Sequence, residues 1–338
     1  PGTERMLVDF GRSSLLDKAR QQPDKVRQVL DKVRTDGLGP TYEAVRAKLE
    51  EPIPLGYCQA GVVLAAGRDV PRFQAGDRVV SNGPHAEQVR VPWTLAARIP
   101  DAVSYEAAAF TPLAAIALQG LRLAAPTLGE TIVVYGLGAI GLLAVQLVRA
   151  AGCRAIGIDR APDRIARARA AGAEVLEGVA DQDLPGAVLA LTRGVGADAV
   201  LLTLATTSAE PVHLAAEMSR KRGRLVLVGV ADLHLRREDF YRKELSFQVS
   251  CSYGAGRYDA AHEEAGVDYP LPFVRWTEAR NFSAVLDLMA DGRLDPLPLI
   301  THRVPFEEAP RAYDLLTTDA SALGVALEAP GKGRLDLG

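Results

Sequence analysis

A glycine-rich turn between a short apolar run and a helical stretch restricts the fold of this chain more than any other feature. The run Thr131–Tyr135 leads into Gly136-Leu137-Gly138-Ala139-Ile140-Gly141, and residues 142–151 have the composition of a helix. In such a pattern the first glycine makes a tight turn, the second admits a pyrophosphate close to the backbone, and the third lets helix and strand pack closely. The helix N-terminus adds free N–H groups and a partial positive charge. The sequence therefore predicts a dinucleotide site at Gly136, Gly138, Ala139, Ile140 and Gly141.

The acidic residue after the next strand-like run indicates which dinucleotide is preferred. Asp159 follows the run 154–158, where a carboxylate accepts hydrogen bonds from the adenosine ribose. A 2′-phosphate in the same place meets like-charge repulsion, so we expect NAD(H). Arg160 has the opposite implication, because an arginine just after the strand can hold that phosphate. NADP(H) is therefore the alternative, although a solvated surface charge is the commoner role for such an arginine.

The centre of the chain alternates strand-like and helix-like segments. These are 131–135, 142–151, 154–158, 162–171, 184–192, 198–203, 209–221 and 224–228, with one more strand at 245–250 and one more helix at 282–290. A βαβ series of this kind predicts an α/β fold with a parallel, doubly wound sheet and right-handed crossovers. We predict that residues 125–297 form this nucleotide-binding domain.

Shorter β-prone runs lie on either side of that series. Runs punctuated by glycine and proline occur at 55–63, 77–80 and 88–91 before it, and at 300–304 and 324–327 after it. They predict a small β domain that is discontinuous in sequence, made of residues 1–124 and 298–338. Residues 14–51 are dense in charge with apolar residues at helical spacing, which predicts an insert of two or three amphipathic helices. This insert is either a solvated face or a lid or dimerisation element.

Composition and charge restrict the partners. The 338 residues are 48% hydrophobic and 24% charged, and the net charge of -3 gives no electrostatic footprint for nucleic acid or for an anionic membrane. No apolar stretch is long enough to span a membrane. The three cysteines are far apart and form no CxxC pair, which argues against a disulfide framework and fits a reducing cytoplasm. The chain begins at Pro1 without a methionine, which leaves a removed leader open.

Several motifs together resemble the medium-chain dehydrogenase/reductase superfamily over nearly the whole chain. They are Gly2-Thr3-Glu4, Leu55-Gly56-Tyr57 with Ala60-Gly61-Val62-Val63, Gly76-Asp77-Arg78-Val79, the 107–120 helix and the glycine turn. The resemblance implies a GroES-like β domain beside a Rossmann domain, dehydrogenase activity with a nicotinamide cofactor, and a homodimer joined through the nucleotide domains. Superfamily members with catalytic zinc hold it with two cysteines and a histidine, and the corresponding positions here are Pro1, Tyr57 and Leu113. None offers a zinc donor, so we expect no metal, with Glu4 and Cys58 as the remaining possible ligands.

A zinc-free branch of the superfamily is the most similar. It includes the dehydrogenase half of bacterial two-domain oxidoreductases, and the cues are the motifs at 252–259 and 275–278 together with the helical insert. The resemblance implies that this chain is either complete or a fragment of a longer two-domain protein. Members of the branch act mostly on sugars, polyols or similar alcohols.

Loss of the metal requires another group to handle the proton of the reaction. Tyr57 takes the place of the zinc histidine, and its phenol is either an acid for carbonyl reduction or packed at the domain interface. Thr3 matches the hydroxyl that relays protons in zinc-containing relatives, and Glu4 either orients it, acts as a base or forms an ion pair. Met6 stands at the next relay position, so the relay is broken or rerouted.

Further residues are predicted to bind substrate or cofactor. For a hydroxylated or anionic substrate they are His85, Tyr258, Arg275, Trp276 and Glu278, because arginine grips anions and an aromatic face stacks on a sugar; the alternative is an ordinary surface loop. For the cofactor they are Thr203, Val228, Gly229 and Arg257, with Val228 and Gly229 along the nicotinamide.

The sequence predicts an NAD-dependent, zinc-independent oxidoreductase that interconverts a secondary alcohol and a ketone on a small, polar, sugar-like or cyclitol-like molecule. One alternative is a zinc-free NAD(P)H-dependent reductase of activated C=C bonds, as in quinone and enoyl reductases of the same fold. The second alternative is a dinucleotide-binding protein without turnover.

Overall fold

The computed structural model describes residues 54–329. The predictions for Thr3, Glu4 and the helical insert 14–51 lie outside this range. The division of the chain into two domains remains a prediction.

An antiparallel sheet comes first in the described chain. It contains β1 (Gln59–Val62), β2 (Arg78–Ser81) and β3 (Ala96–Arg98), with β2 in the middle. The strand predicted at 88–91 is wrong, since these residues form no strand. The physical reason is that β2 already pairs with β1 on one side and with β3 on the other. Residues 88–91 therefore have no free side of β2 with which to form backbone hydrogen bonds.

A parallel sheet forms the centre of the described chain, as the alternating segments predict, although its strand at 174–176 is not among them. Its strands are β4 (Thr131–Tyr135), β5 (Arg154–Ile158), β6 (Glu174–Leu176), β7 (Ala197–Leu202), β8 (Ser219–Leu227) and β9 (Ser246–Val249). They lie in the order β6-β5-β4-β7-β8-β9, with every neighbouring pair parallel. The order reverses between β4 and β7. Ligands of such sheets bind at the carboxyl ends of the strands at this reversal.

Helices cover both faces of the parallel sheet. The helices of the described chain are α1 (Tyr105–Ala108), α2 (Thr111–Ala124), α3 (Ala139–Ala150), α4 (Pro162–Ala170), α5 (Leu184–Leu191), α6 (Glu210–Met218), α7 (Arg237–Tyr241), α8 (Ala260–Glu263), α9 (Glu278–Ala290) and α10 (Ala309–Thr318). Ile132 and Val134 of β4 are buried with α2, α3 and α9, and Val133 is buried with α5 and α6 on the other face. The alternation places successive side chains in two separate cores.

Three helix predictions need correction. The helix predicted over 282–290 begins four residues earlier, at Glu278. The helix predicted over 209–221 ends at Met218, because Ser219 is extended and begins β8. The basic residues that follow are typical of an exposed helical face, but Arg220 instead pairs with Asp198 of the neighbouring strand at 2.5 Å. The helix predicted over 107–120 is two helices, α1 and α2. Pro112 in the first turn of α2 has no N–H to continue α1, so a new helix begins there.

The last strands, β10 (Ile300–Pro305) and β11 (Gly324–Glu328), pair in parallel with each other. Both match predicted segments within two residues. In residues 54–329 no helix is long and apolar enough to cross a membrane.

Candidate functional site

The glycine turn lies between β4 and α3, with three glycines in three different situations. Gly136 has a φ of +102°, and a Cβ there would lie 2.6 Å from the backbone nitrogen of Leu204. A Cβ on Gly141 would lie 1.9 Å from the carbonyl oxygen of Gly136. A Cβ on Gly138 would meet nothing within 4 Å. Two glycines are therefore needed for packing, whereas Gly138 leaves open space in front of the N-terminus of α3, where a pyrophosphate fits.

Asp159 is bonded to this turn. Its Oδ2 accepts the backbone N–H of Leu137 at 2.6 Å, and its Oδ1 accepts the N–H groups of Arg160 and Ala161 at 2.7 and 2.9 Å. A carboxylate offers about four acceptor positions, so it can still accept from a ribose hydroxyl. The Arg160 side chain is 85% exposed and pairs with Asp181. At this position the Asp159 carboxylate is therefore held in place by backbone N–H groups, and the Arg160 guanidinium is already paired with Asp181.

Residues at the ends of β7 and β8 complete the cradle. The Thr203 hydroxyl lies 2.5 Å from the Gly136 carbonyl oxygen and donates to it, which pins the turn. A Cβ on Gly229 would lie 1.9 Å from the carbonyl oxygen of Leu204, so no side chain is possible there. Val228 packs its Cγ2 against Gly120 of α2, 2.4 Å from where a Cβ would stand. The structure therefore brings these predicted cofactor residues to one edge of the sheet.

Arg257 has a different position from the other predicted cofactor residues. It lies in the loop after β9, where its guanidinium donates to Glu263 and lies 4.4 Å from the centre of the Tyr258 ring. Tyr258 itself is 75% exposed. The Arg257 guanidinium is thus already committed to a carboxylate.

Two of the predicted substrate-site residues share one cavity. Tyr57 and His85 line it together with Cys58 and Leu113. The Nδ1 of His85 lies 2.6 Å from the Tyr313 hydroxyl. The imidazole also lies over Gly56, where a Cβ would be 2.2 Å from the ring. His85 is therefore held in place beside Tyr57.

The other predicted substrate residues lie around the start of α9. The guanidinium carbons of Arg122 and Arg275 lie 3.4 and 3.8 Å from the centre of the Trp276 ring. Burial, and then the nearby Arg275, lowers the pKa of Arg122 to about 10. Glu278 is completely buried rather than on a surface loop. Arg275, Trp276 and Glu278 are not among the described residues that line the cavity of Tyr57.

Tyr253 is a buried residue to which the sequence assigned no role. Its hydroxyl lies 3.4 Å from Asn82 Nδ2, which donates to it from the loop after β2. Its carbonyl oxygen accepts from Asn281 Nδ2 at 2.7 Å, and its ring lies edge-on to Phe282 at 5.2 Å. Burial raises the pKa of the Tyr253 phenol. The motif at 252–259 includes this tyrosine, but nothing in it indicates that the phenol reaches Asn82.

The donors at the metal position of zinc-containing relatives do not suit zinc. Tyr57 offers a phenol and Leu113 a hydrocarbon, while Cys58 is the one thiol lining this cavity in the described chain. Zinc requires thiolate, imidazole or carboxylate donors, three or four together. Residues 54–329 contain no group of three such side chains arranged to hold a metal ion.

Comparisons with known proteins identify relatives among dehydrogenases. A family model described as "Zinc-binding dehydrogenase" matches residues 139–265. D-guloside 3-dehydrogenase of Escherichia coli K12 is 29% identical over 269 residues, which is 77% of this chain and 72% of that protein. D-arabitol-phosphate dehydrogenase of Enterococcus avium is 25% identical over 300 residues, covering 78% of each chain.

Solved structures have the same fold. Alcohol dehydrogenase TADH from Thermus sp. ATN1 matches with a TM-score of 0.69 and 26% identity, over 87% of this chain and 89% of that chain. Galactitol-1-phosphate dehydrogenase from Escherichia coli matches with a TM-score of 0.68 and 22% identity, over 82% and 84% of the two chains. At this lower identity the likeness concerns the fold.

Proposed function

Because the chain belongs to the medium-chain dehydrogenase/reductase superfamily, we propose that it interconverts a secondary alcohol and a ketone on a polyol or sugar-like molecule. It is an oxidoreductase with a nicotinamide dinucleotide cofactor. The strongest support is the glycine turn joined to Asp159, since a pyrophosphate and a ribose each find a suitable partner there. The relatives D-guloside 3-dehydrogenase and D-arabitol-phosphate dehydrogenase support a substrate with several hydroxyl groups.

We assign the cofactor preference to NAD(H). The N-terminus of α3 and the open backbone at Gly138 would hold the pyrophosphate, and Asp159 would accept the ribose hydroxyls. A 2′-phosphate would face the Asp159 carboxylate. Arg160 is already paired with Asp181, and Arg164, whose Nη1 lies 3.8 Å from Asp159 Oδ2, is paired with that carboxylate. When bound, the nicotinamide accepts or supplies the hydride.

We assign proton transfer to the cavity of Tyr57 and infer that it works without zinc. The Tyr57 phenol would donate a proton to a carbonyl oxygen in reduction, because a phenol is protonated at neutral pH. His85, fixed by Tyr313, would orient hydroxyl groups of the substrate by hydrogen bonds. Thr3 and Glu4 remain proposed members of the site, outside the described residues.

We further propose a homodimer that forms through the nucleotide-binding part. In the described chain β9 is an edge strand of the parallel sheet, and apolar side chains near it are exposed, with Val249 at 52% and Tyr241 at 67%. Unpaired edge strands readily join a second strand. Cys153 and Cys251 are free thiols, which supports a reducing compartment such as the cytoplasm.

A turnover assay tests the function. The purified protein is incubated with NAD⁺ or NADP⁺ and a panel of polyols, glycosides and sugar phosphates, and with NADH and keto-sugars or enones. We expect NADH formation from a polyol or glycoside, without added metal and in the presence of a chelator. Oxidation of NADH by enones alone would instead support a reductase of activated C=C bonds. Tight binding of NADH without turnover of any compound would support a nucleotide-binding protein.

A further inference from the structure

Five buried side-chain polar atoms around the start of α9 have no hydrogen-bond partner in the described chain. They are Thr277 Oγ1, both carboxyl oxygens of Glu278, Arg257 Nε and His262 Nε2. Thr277 and Glu278 are completely buried, and His262 is 1% exposed. A buried polar atom without a hydrogen-bond partner destabilises the folded protein. Five such atoms in one place indicate that something other than protein satisfies them.

These atoms surround three consecutive backbone residues, 255–257. The Glu278 N–H donates to the Ala255 carbonyl oxygen at 3.1 Å, and Thr277 forms a β-bridge with Ala255. A Cβ on Gly256 would lie 2.6 Å from Nε2 of His262. Arg257 interacts electrostatically with the Glu278 carboxyl group. These contacts place Thr277, Glu278, Arg257 and His262 around one loop, so we treat their unpartnered atoms as one site.

The hydrogen-bonding capacities of these groups complement one another. His262 Nδ1 lies 3.2 Å from the Val267 carbonyl oxygen, which can only accept, so Nδ1 carries the proton and Nε2 accepts in the neutral ring. Arg257 Nε–H donates, and the Thr277 hydroxyl both donates and accepts. A protonated Glu278 also donates and accepts. Water makes two to four such bonds and is the usual partner of buried polar groups.

Tyr253 stands between this site and the cavity of Tyr57. Glu278 and Phe282 share one face of α9, and Phe282 packs against the Tyr253 ring. The guanidinium of Arg257 lies 5.8 Å from the centre of that ring. On its other side, the Tyr253 hydroxyl meets Asn82 and interacts electrostatically with Cys58, which lines the cavity.

We propose that the start of α9 and the loop 253–263 enclose a hydrated proton-storage site, in which Glu278 holds a proton and exchanges it through ordered water with the Tyr253 phenol. In turnover, once the Tyr57 phenol has given its proton to the carbonyl oxygen, water in the cavity passes a proton from the Tyr253 phenol to the Tyr57 oxygen. The Tyr253 oxygen then takes a proton from the ordered water, the water takes the Glu278 proton, and a carboxylate remains on Glu278. The reverse transfers restore the carboxyl group. Glu278 is thus a positioning residue that acts through Tyr253. Its use in turnover rests on the proposed function, whereas the hydrated, protonated site does not.

The charges around Glu278 favour storage of a proton. Burial, and then the carboxylate of Glu263 on α8, raises the pKa of Glu278 to about 8, against the lowering effect of Arg257. Arg257 cannot neutralise Glu278 fully, because its guanidinium already donates to Glu263. Other titratable groups around the site are the phenols of Tyr253 and Tyr269, the imidazole of His262, and the carboxylates of Asp259 and Asp268. Asp259 accepts from Tyr269, and Asp268 pairs with Arg280 and lies 3.9 Å from His262 Nδ1.

Infrared spectroscopy tests whether Glu278 holds a proton. At about pH 7 an ordinary carboxyl group is ionised, so a carboxylic-acid carbonyl band that shifts in D₂O reports a buried, protonated acid. We expect this band in the wild-type protein and in Glu264→Gln, an exposed control on the same loop, and its loss in Glu278→Gln. A wild-type spectrum without the band at neutral pH would overturn the proposal even if Glu278→Gln does not fold. So would a band that persists in Glu278→Gln.

Spectrophotometric titration tests the connection to Tyr253. Subtracting the phenolate absorbance of Tyr253→Phe from that of the parent protein isolates the ionisation of this tyrosine. Burial and, more weakly, an ionised Glu278 raise the pKa of Tyr253, so Glu278→Gln should move the ionisation of Tyr253 to lower pH. Glu264→Gln should leave it in place. Identical curves in wild type and Glu278→Gln would refute the connection. Neither measurement uses substrate or cofactor, so failure of the proposed function appears separately, in the turnover assay.

Discussion

The backbone N–H of Leu137 donates to Oδ2 of Asp159 across 2.6 Å. Leu137 lies inside the glycine turn, and Asp159 is the first residue after β5. One hydrogen bond therefore fixes the carboxylate proposed to bind the ribose relative to the backbone proposed to bind the pyrophosphate. The two parts of the proposed cofactor site are therefore positioned by the protein before any ligand binds.

Replacement of Asp159 tests the preference for NAD. Asp159→Asn keeps the shape but removes the charge, and a charge-assisted hydrogen bond is worth about 1.5–3 kcal/mol. We expect kcat/KM for NAD to fall about 10- to 100-fold, while NADP gains relative to NAD. Steady-state kinetics with both cofactors measures the change. Asp163→Asn, an exposed residue of α4, is the matched control and should change neither value. A preserved preference for NAD in Asp159→Asn would contradict the assignment.

Two glycines of the same turn should respond in opposite ways. Gly141→Ala places a methyl group 1.9 Å from the Gly136 carbonyl oxygen, so it should destabilise the fold by about 1–3 kcal/mol. Gly138→Ala meets nothing within 4 Å, and its φ of −67° suits alanine. It should melt at the wild-type temperature but bind NADH at least about 10-fold more weakly, because the methyl group occupies the space of the pyrophosphate. Thermal unfolding and NADH fluorescence separate the two effects. Wild-type NADH affinity in Gly138→Ala would place the pyrophosphate elsewhere.

Removal of one hydroxyl tests the role of Tyr57. Tyr57→Phe preserves the ring but not the proton, and loss of a general acid lowers kcat by about 100-fold or more. NADH affinity should stay unchanged, because Tyr57 lines the cavity that contains His85 and does not belong to the glycine turn proposed to bind the cofactor. Pre-steady-state measurement of hydride transfer with a keto-sugar gives the rate. An unchanged rate would mean that Tyr57 only packs in the cavity, and it would leave Tyr253 as the stronger candidate acid.

The parts of this molecule that sequence predicts well are local. The strand, turn and helix around Gly136 follow from spacing alone, because the same few residues both form the structure and require the glycines. The contact between Tyr253 and Asn82 joins residues 171 positions apart, and no local pattern reports it. The local pattern also gives the wrong structure at Ser219. The basic stretch that follows is predicted to be helical, but Ser219 is extended and the stretch forms strand β8.

Glu278 illustrates a second reason for failure. An acidic residue after Thr277 at a helix start ordinarily faces solvent and interacts with the helix dipole. The bridge between Thr277 and Ala255 instead turns this start inward and buries the carboxyl group. The burial depends on the loop after β9, which the composition of the motif at 275–278 does not reveal.

The burial of Glu278 predicts an unusual dependence of stability on pH. Its pKa is about 8 in the folded protein and 4.5 in its ordinary state. Between these values the unfolded chain has lost the proton while the folded protein keeps it, so the folded state binds more protons and stability falls as pH rises. The contribution is present in full below pH 4.5 and is lost by about pH 8, with a slope of about 1.4 kcal/mol per pH unit.

Glu278→Gln removes this titration while keeping the size of the side chain. The difference in unfolding free energy between Glu278→Gln and wild type should therefore shift in favour of the variant as pH rises from about 5 to 8, and become constant above that range. Urea unfolding at a series of pH values gives the difference directly, and Glu264→Gln serves as the exposed control. A difference that does not change over this range would mean that Glu278 ionises in the folded protein as it does in the unfolded chain. The Glu278 side chain would then be a carboxylate in the folded protein, and Arg257 would be shared between Glu263 and Glu278.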